Sequence, residues 1–119
     1  MSANLKPSCY NWASVVQGDT FPAIVFAASG TSTDLARVRV TVKDKDGNAK
    51  LTLDSNTSGV TLNDTTAGSW NYTVGPVSAA DTTSIAAGTH SYDLETTDVG
   101  GVVRTHFHGF WEILPQITS

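Results

Sequence analysis

Residues 88–114 read GTHSYDLETTDVGGVVRTHFHGFWEIL, and this stretch decides the fold class. From His90 to Glu95, apolar or aromatic side chains alternate with polar ones, which is the two-residue period of a half-buried strand. Asp98 and the glycine pair at 100–101 then interrupt the pattern, because glycines accept positive φ and an aspartate bonds to loop backbone. The chain resumes at Val102, so the stretch predicts an antiparallel hairpin.

The returning strand covers residues 102–108 and presents two faces if the alternation is strict. One face carries Val103, Thr105 and Phe107, and the other carries Arg104, His106 and His108. Gly109 interrupts this strand, which indicates a β-bulge or a close backbone contact. Residues 110–114 continue as a strand, and Pro115 ends it.

Short strands separated by turns continue through the rest of the chain. The clearest is a hairpin over residues 35–53, which turns at Asp46-Gly47. Further strands are expected at residues 10–16, 20–26, 60–62 and 69–74, and residues 78–87 are the one plausible helical turn, capped by Ser78. About seven or eight strands favour an all-β sandwich or small barrel. We expect one such domain over residues 18–119, preceded by an N-terminal arm or first strand over residues 1–17.

The alternation also predicts the core. The side chains expected to be buried are Val38, Val40, Val42, Leu51, Leu53, Trp70, Tyr72, Tyr92, Leu94 and Phe107.

Size and charge exclude several classes of protein. A chain of 119 residues can bury one core without disulfides or metal. Its 7 basic and 11 acidic residues give a net charge of −4, which argues against nucleic acid as a partner. Neither a membrane span nor the pattern of a signal peptide is found, so we expect synthesis in a cytoplasm and no membrane partner. Cys9 stands alone, without the neighbours of a nucleophile.

Few residues suggest chemistry. His106 and His108 would share a strand face, and His90 on the preceding strand could approach them, but zinc needs three or four ligands. The preferred interpretation of Arg104, His106 and His108 is a polar face, exposed or at a subunit contact. No nucleophile elbow, P-loop or dinucleotide fingerprint occurs. We therefore expect no enzyme, no cofactor and no metal site.

The aromatic residues allow two interpretations. Trp12, Trp70 and Trp111, together with the three tyrosines, could form a sugar-binding platform. Aromatics at alternating positions more often line the inside of a sandwich. Tyr10 and Trp12 differ from the others, since residues 1–17 have little periodic pattern. We expect this segment to contact a neighbouring subunit, with Tyr10 and Trp12 as aromatic anchors.

Several motifs, taken in order, resemble small tail- and capsid-associated proteins of tailed bacteriophages. They are Gly18-Asp19-Thr20-Phe21-Pro22, Leu35-Ala36 before the strand at 38–44, Asp46-Gly47 before Leu51-Thr52-Leu53, Ala87-Gly88-Thr89, Tyr92-Asp93-Leu94-Glu95, Gly101-Val102-Val103-Arg104-Thr105 and Gly109-Phe110-Trp111-Glu112-Ile113. The order is similar to that of the particle-attaching β domains of phage baseplate and fibre proteins, and it covers residues 18–117.

The resemblance implies an immunoglobulin-like antiparallel β-sandwich in a virion, made in the cytoplasm of a bacterial host. It implies a symmetric homo-oligomer that binds other phage structural proteins as a connector, collar, baseplate, or capsid cement or decoration protein. The interface residues expected are Tyr10, Trp12, Arg104, His106 and His108. The alternative is a carbohydrate-binding module for host-surface glycans. Exposed coplanar aromatics on one sheet face would favour that alternative, and buried Trp70 and Trp111 together with an ordered arm over residues 1–17 would favour the virion protein.

Overall fold

The computed structural model describes residues 8–116, and these residues form two β-sheets and one short helix. The strands are β1 (Ser8–Cys9), β2 (Val15–Val16), β3 (Ile24–Ser29), β4 (Leu35–Lys43), β5 (Ala49–Asp54), β6 (Val60–Asp64), β7 (Ser69–Val74), β8 (Gly88–Asp98) and β9 (Val103–Leu114). The helix α1 is Ala79–Ser84. The all-β prediction is confirmed, and the count exceeds eight because β1 and β2 have two residues each.

The two sheets pack face to face as an immunoglobulin-like sandwich. The first sheet has the order β1-β9-β8-β4-β5, with β2 also on β9, and the second has the order β3-β7-β6. Both predicted hairpins are present, since β4 pairs with β5 and β8 pairs with β9, each antiparallel. The sandwich is not wholly antiparallel, because β1 and β2 run parallel to β9.

The helix lies where its sequence signals placed it, within residues 78–87. Ser78 is the N-cap, and its hydroxyl accepts a hydrogen bond from the amide of Asp81. Thr82 is buried and joins the helix to the turn before β3, donating to the carbonyl of Asp19 at 2.7 Å and accepting from the amide of Gly18 at 3.1 Å. The helix therefore anchors the start of the second sheet.

The core contains most of the side chains that alternation predicts. Eight of the ten are buried, and the other two, Leu51 and Phe107, are partly buried against the same cluster. The core also holds aromatic residues that alternation did not select. Trp12 stacks on Tyr92 with ring centroids 4.4 Å apart and lies 5.0 Å from the ring of Trp111. Phe21 also packs in this aromatic cluster, which fills the half of the sandwich near the start of β8.

β9 contains one residue more than strict alternation assumes, so the side chains on its two faces differ from the prediction. Leu94 lies opposite Phe107, but Glu95 lies opposite Thr105, so His106 is a β-bulge. As a result, His106 and Phe107 both point towards the second sheet, where they contact Trp70 and Phe26. His108 lies on the outer face, opposite Asp93. The prediction that Arg104, His106 and His108 share a face is therefore wrong.

Residues 8–17 follow the edge of the first sheet. The amide of Tyr10 donates to the carbonyl of His108 at 2.8 Å, the amide of Trp12 to that of Phe110 at 2.9 Å, and the amide of Gln17 to that of Leu114 at 2.9 Å. Trp12 is only 5% exposed. The indole therefore completes the core of its own chain, and a contact of Trp12 with a neighbouring subunit stays a prediction. Residues 1–7 of the predicted arm lie outside the described residues.

Gly109 permits this arrangement by a close backbone contact, which was one of the two predictions for this position. A Cβ there would overlap the carbonyl oxygen of Tyr10 and lie 2.8 Å from its carbonyl carbon. The same carbonyl oxygen accepts a hydrogen bond from the hydroxyl of Tyr92, which lies opposite Gly109 on β8. The missing side chain at 109 thus makes room for residue 10 over the inner face of the sheet.

Candidate functional site

Three loops meet at the end of the sandwich opposite the Asp46-Gly47 turn: residues 30–34, 65–68 and 99–102. We call this the loop end. Gly30 donates its amide to the carbonyl of Gly68 at 3.0 Å, and the amide of Ala67 donates to the carboxylate of Asp34 at 2.8 Å. The carbonyl of Asp34 accepts from the amide of Val99 at 3.0 Å. These bonds join all three loops into one platform.

A cleft of about 220 Å³ opens at the loop end, between the loop after β3 and the first residues of β9. It exists because the inner side of β9 ahead of the bulge faces loop residues instead of a strand. Its walls combine hydroxyl groups, two charged side chains and two rings. The residues that line it include Ser29, Thr31, Ser32, Thr33, Trp70, Asp98, Val102, Arg104 and His106.

The two rings form one wall of this cleft. The imidazole of His106 stacks on the indole of Trp70, with centroids 5.5 Å apart and planes inclined by 21°. The indole Nε1 of Trp70 donates to the carbonyl of Thr33 at 2.9 Å, which fixes the ring against the loop. Burial, and to a smaller extent the charge of Arg104, lowers the pKa of His106 below 6.5. The imidazole is therefore neutral at neutral pH.

The two charged groups of the cleft differ in whether other groups of the chain already bind them. Both carboxylate oxygens of Asp98 are used within the loop: they accept from the amides of Gly100 at 2.9 Å and Val102 at 3.0 Å, and from the hydroxyl of Thr33 at 2.9 Å. The bond from Val102 is the first cause that lowers the pKa of Asp98. Arg104, by contrast, makes no ion pair with any carboxylate of residues 8–116.

Exposed apolar side chains occur at the turn between β8 and β9, beside the cleft. Val99, Val102 and Val103 are 66%, 47% and 56% exposed, with Val102 on the cleft side and Val103 on the outer side of the sheet. Such residues normally avoid water, and Asp98 holds this turn in one conformation through its bonds to Gly100 and Val102. We call these three residues the valine tip.

The structure brings together only two of the five predicted interface residues, Arg104 and His106, which both line the cleft. Trp12 is in the core, and His108 is on the outer face of β9. Tyr10 is 44% exposed and packs edge-on against Phe26, with centroids 5.8 Å apart, where the edges of the two sheets approach each other. None of these placements tests an interface role.

Trp70 and the valine tip were not selected from the sequence. Trp70 was predicted as a core residue, with a sugar-binding platform as the alternative; its ring is buried, and its position beside His106 depends on the bulge. The tip carried a usable signal: Val99 and Val102 flank two glycines, and apolar residues are unusual in a hairpin turn.

The third histidine lies far from this cleft. His90 is buried opposite Trp111, and its Nδ1 is 3.2 Å from the carbonyl oxygen of Gly88. Among residues 8–116, no three histidine, cysteine or carboxylate side chains are grouped closely enough to hold a metal ion. Over the same residues, the one helix is too short and too polar to span a membrane.

Comparison with known proteins yields structural likeness without sequence relatives. No protein-family model and no curated protein matches the chain. The fibronectin(III)-like modules of Clostridium thermocellum CbhA are 13% identical over 96% of this chain and 95% of theirs, with a TM-score of 0.39. CopC from Methylosinus trichosporium OB3b is 9% identical over 85% of this chain and 99% of its own, with a TM-score of 0.38.

A third similar structure belongs to a larger protein. A family 123 glycoside hydrolase from Clostridium perfringens is 14% identical over 98% of this chain, which corresponds to 24% of the hydrolase, with a TM-score of 0.48. At these identities, the likenesses concern the β-sandwich fold alone.

Proposed function

We propose that this chain is a non-enzymatic structural protein of a bacteriophage virion, made in the host cytoplasm, which assembles as an oligomer and binds other particle proteins. Its role would be that of a connector, collar, baseplate, or capsid cement or decoration protein. The resemblance of its motifs to particle-attaching phage domains supports the virion context. The valine tip carries the proposal that the domain binds protein.

An apolar surface that is already ordered lowers the free-energy cost of forming an interface. Exposed apolar groups that adjoin one another gain free energy when a partner covers them, at about 25 cal/mol per Å² of apolar area. The three loops of the loop end are already tied by backbone hydrogen bonds, so little conformational entropy is lost on binding. A rigid, apolar tip on a polar sandwich is the arrangement expected of a subunit contact.

The middle of the outer face of the first sheet is less suited to an apolar contact, although Phe110 on β9 is 58% exposed there. That face carries cross-strand pairs of opposite charge, with Arg39 3.9 Å from Glu95 and Lys43 3.7 Å from Asp93. These pairs are half exposed and contribute little to stability, but they keep the face hydrated. The loop end is therefore the preferred contact.

Burial of the tryptophans speaks against the glycan-binding alternative. Trp12, Trp70 and Trp111 are all buried, so none of them can offer a flat exposed face to a sugar ring. Buried Trp70 and Trp111 are one part of the pattern expected of a virion structural protein, and the other part, an ordered arm over residues 1–17, lies partly outside the described residues.

The test replaces the tip with polar residues. In a Val99→Ser/Val102→Ser variant, we expect the oligomer that light scattering detects for the unaltered chain to dissociate, while thermal unfolding stays cooperative. Val25→Ser is the matched control, since Val25 is 62% exposed but lies on β3, away from the tip. In particles purified from a host that produces the phage, the double variant should be depleted. A chain that is monomeric at all concentrations and absent from particles would refute the proposal.

A further inference from the structure

We propose that the cleft at the loop end is a carboxylate-binding site, which receives one Asp or Glu side chain of a protein partner. This inference rests on the proposed function and deepens it, because it names the chemistry of the partner surface that the loop end would contact.

Arg104 is the group that would bind the carboxylate. A guanidinium presents parallel N–H donors that match the two oxygens of a carboxylate. Elsewhere in this protein, Arg37 already shows that pairing with Asp54, whose oxygens it contacts through Nε at 3.0 Å and through Nη2. Arg104 lines the cleft with no such partner among the described residues. The nearest acidic group, Asp98, has both oxygens engaged by its own loop.

The walls supply donors for the remaining lone pairs of a carboxylate. Thr31 accepts the amide of Gly68 at 2.8 Å through its hydroxyl oxygen, which leaves the hydroxyl proton available to donate. Ser29 and Ser32 add two further hydroxyl groups to the lining. The imidazole of His106 is held flat by Trp70, so a group entering the cleft meets a fixed wall. A site already ordered in this way loses little entropy on binding.

The charge balance selects a singly charged acid. The cleft has one permanent cation, Arg104, and His106 is neutral at neutral pH because burial lowers its pKa. The negative charge of Asp98 lies on the same lining and would repel a doubly charged phosphate more than a carboxylate. One guanidinium with neutral hydroxyl donors is the donor set of a carboxylate site.

The surroundings of the cleft select a peptide over a sugar acid. Val102 lines the cleft and is 47% exposed, and Val99, in the same turn, is 66% exposed. Residues that flank an acid in a protein can cover these methyl groups, whereas a sugar acid would place hydroxyl groups against them. The cleft volume of about 220 Å³ suits a single side chain.

The experiment titrates the unaltered chain with two blocked tripeptides, acetyl-Val-Glu-Val-amide and its Gln counterpart, and follows NMR signals. We expect the Trp70 indole N–H and the Arg104 Nε–H to shift saturably with the Glu peptide. Charge-assisted hydrogen bonds predict binding of the Gln peptide that is weaker by about tenfold or more. Arg104→Gln should weaken binding of the Glu peptide by a similar factor. Arg39→Gln is the matched control and should change nothing, since Arg39 lies on the outer face.

Three results would overturn the site. They are equal binding of the two peptides, unchanged affinity in Arg104→Gln, and shifts confined to residues outside the cleft. Sodium glucuronate that binds more tightly than the Glu peptide would replace the protein ligand by a glycan. Failure of the cleft is distinct from failure of the proposed function. If the Val99→Ser/Val102→Ser variant stops assembly but no peptide binds, only the cleft proposal falls.

Discussion

The two halves of β9 differ in what covers their inner face. After the bulge, Trp111 and Ile113 point into the core, and the bare backbone of Gly109 lies under residue 10. Up to and including the bulge, Arg104 and His106 face a cleft bordered by loops. The inner face of β9 is therefore covered and apolar after the bulge, which we call the closed half, and open and polar up to the bulge, which we call the open half. The difference shows that a single extra residue, His106, can divide a strand into a part that stabilises the fold and a part free to bind.

The two halves of β9 also differ in what covers the edge of the sheet beside them. Residues 8–16 cover the edge of the closed half, with Trp12 inserted between Tyr92, Phe21 and Trp111. If this comparison is right, substitutions in the closed half cost stability, and substitutions in the open half change binding or pH response with a smaller effect on stability.

The largest effect is expected from Trp12→Ala. Removing a buried indole leaves a cavity in the closed half, and we expect the free energy of unfolding to fall by about 3–5 kcal/mol. Urea unfolding measures this loss. Tyr10→Ala is the control, with a smaller loss, because Tyr10 is partly exposed and its backbone carbonyl would remain to accept from Tyr92. Full stability of the Trp12 variant would return residues 8–17 to the role of a dispensable arm.

Gly109→Ala should have the next largest effect. The new methyl group would overlap the carbonyl group of Tyr10, and backbone atoms cannot move aside as a flexible side chain can. We expect a loss of about 1–3 kcal/mol, which is typical of overpacking, together with shifted amide signals from residues 10–14.

Gly100→Ala is the matched control for that substitution. A Cβ at position 100 would meet only a side-chain oxygen of Asp98, at 3.3 Å, in an exposed turn. If both alanine variants unfolded at the same urea concentration, the proposed close contact at Gly109 would be contradicted.

The sequence predicts the closed half better than the open one, for a physical reason. Regular alternation fixes which side chains of β4, β7 and β8 are buried, because each faces a sheet that covers it continuously. Both hairpin turns are predicted by glycine near an aspartate: Asp46-Gly47 in the first, and Asp98 followed by Gly100-Gly101 in the second. The burial of Trp12 was not readable, since residues 10–14 form an irregular edge held by backbone bonds to β9.

The cleft could be predicted only in part. Arg104 and His106 were selected as a polar pair, but the assumption of strict alternation added His108 to their face. No local signal marks His106 as the extra residue: a bulge was expected only at Gly109, where the other prediction, a close backbone contact, is the one that the structure shows. The site depends on a register that forms only when β8, β9 and residues 8–16 pack together.

The smallest predicted effect concerns pH and tests the open half alone. Burial lowers the pKa of His106 in the folded chain below the ordinary value of 6.5, so the unfolded chain binds more protons near that pH. Stability is therefore fully present above pH 6.5 and decreases as the pH falls through the lowered pKa. The aspartates with lowered pKa, including Asp54 and Asp98, lose their contribution only below about pH 4, so measurements between pH 7.5 and 5 leave them out, and a variant at position 106 separates His106 from His90 and His108.

Two variants make this prediction specific. His106→Phe keeps a ring against Trp70 but cannot take up a proton, so its melting temperature should depend less on pH over this interval than that of the unaltered chain. Arg104→Gln removes the second cause of the lowered pKa and should reduce the dependence by a smaller amount, because burial remains the larger cause. An unaltered dependence in His106→Phe would mean that the imidazole is not enclosed by Trp70. The open half would then be wider than the stacked rings imply, and the wall on which the proposed carboxylate site depends would be lost with it.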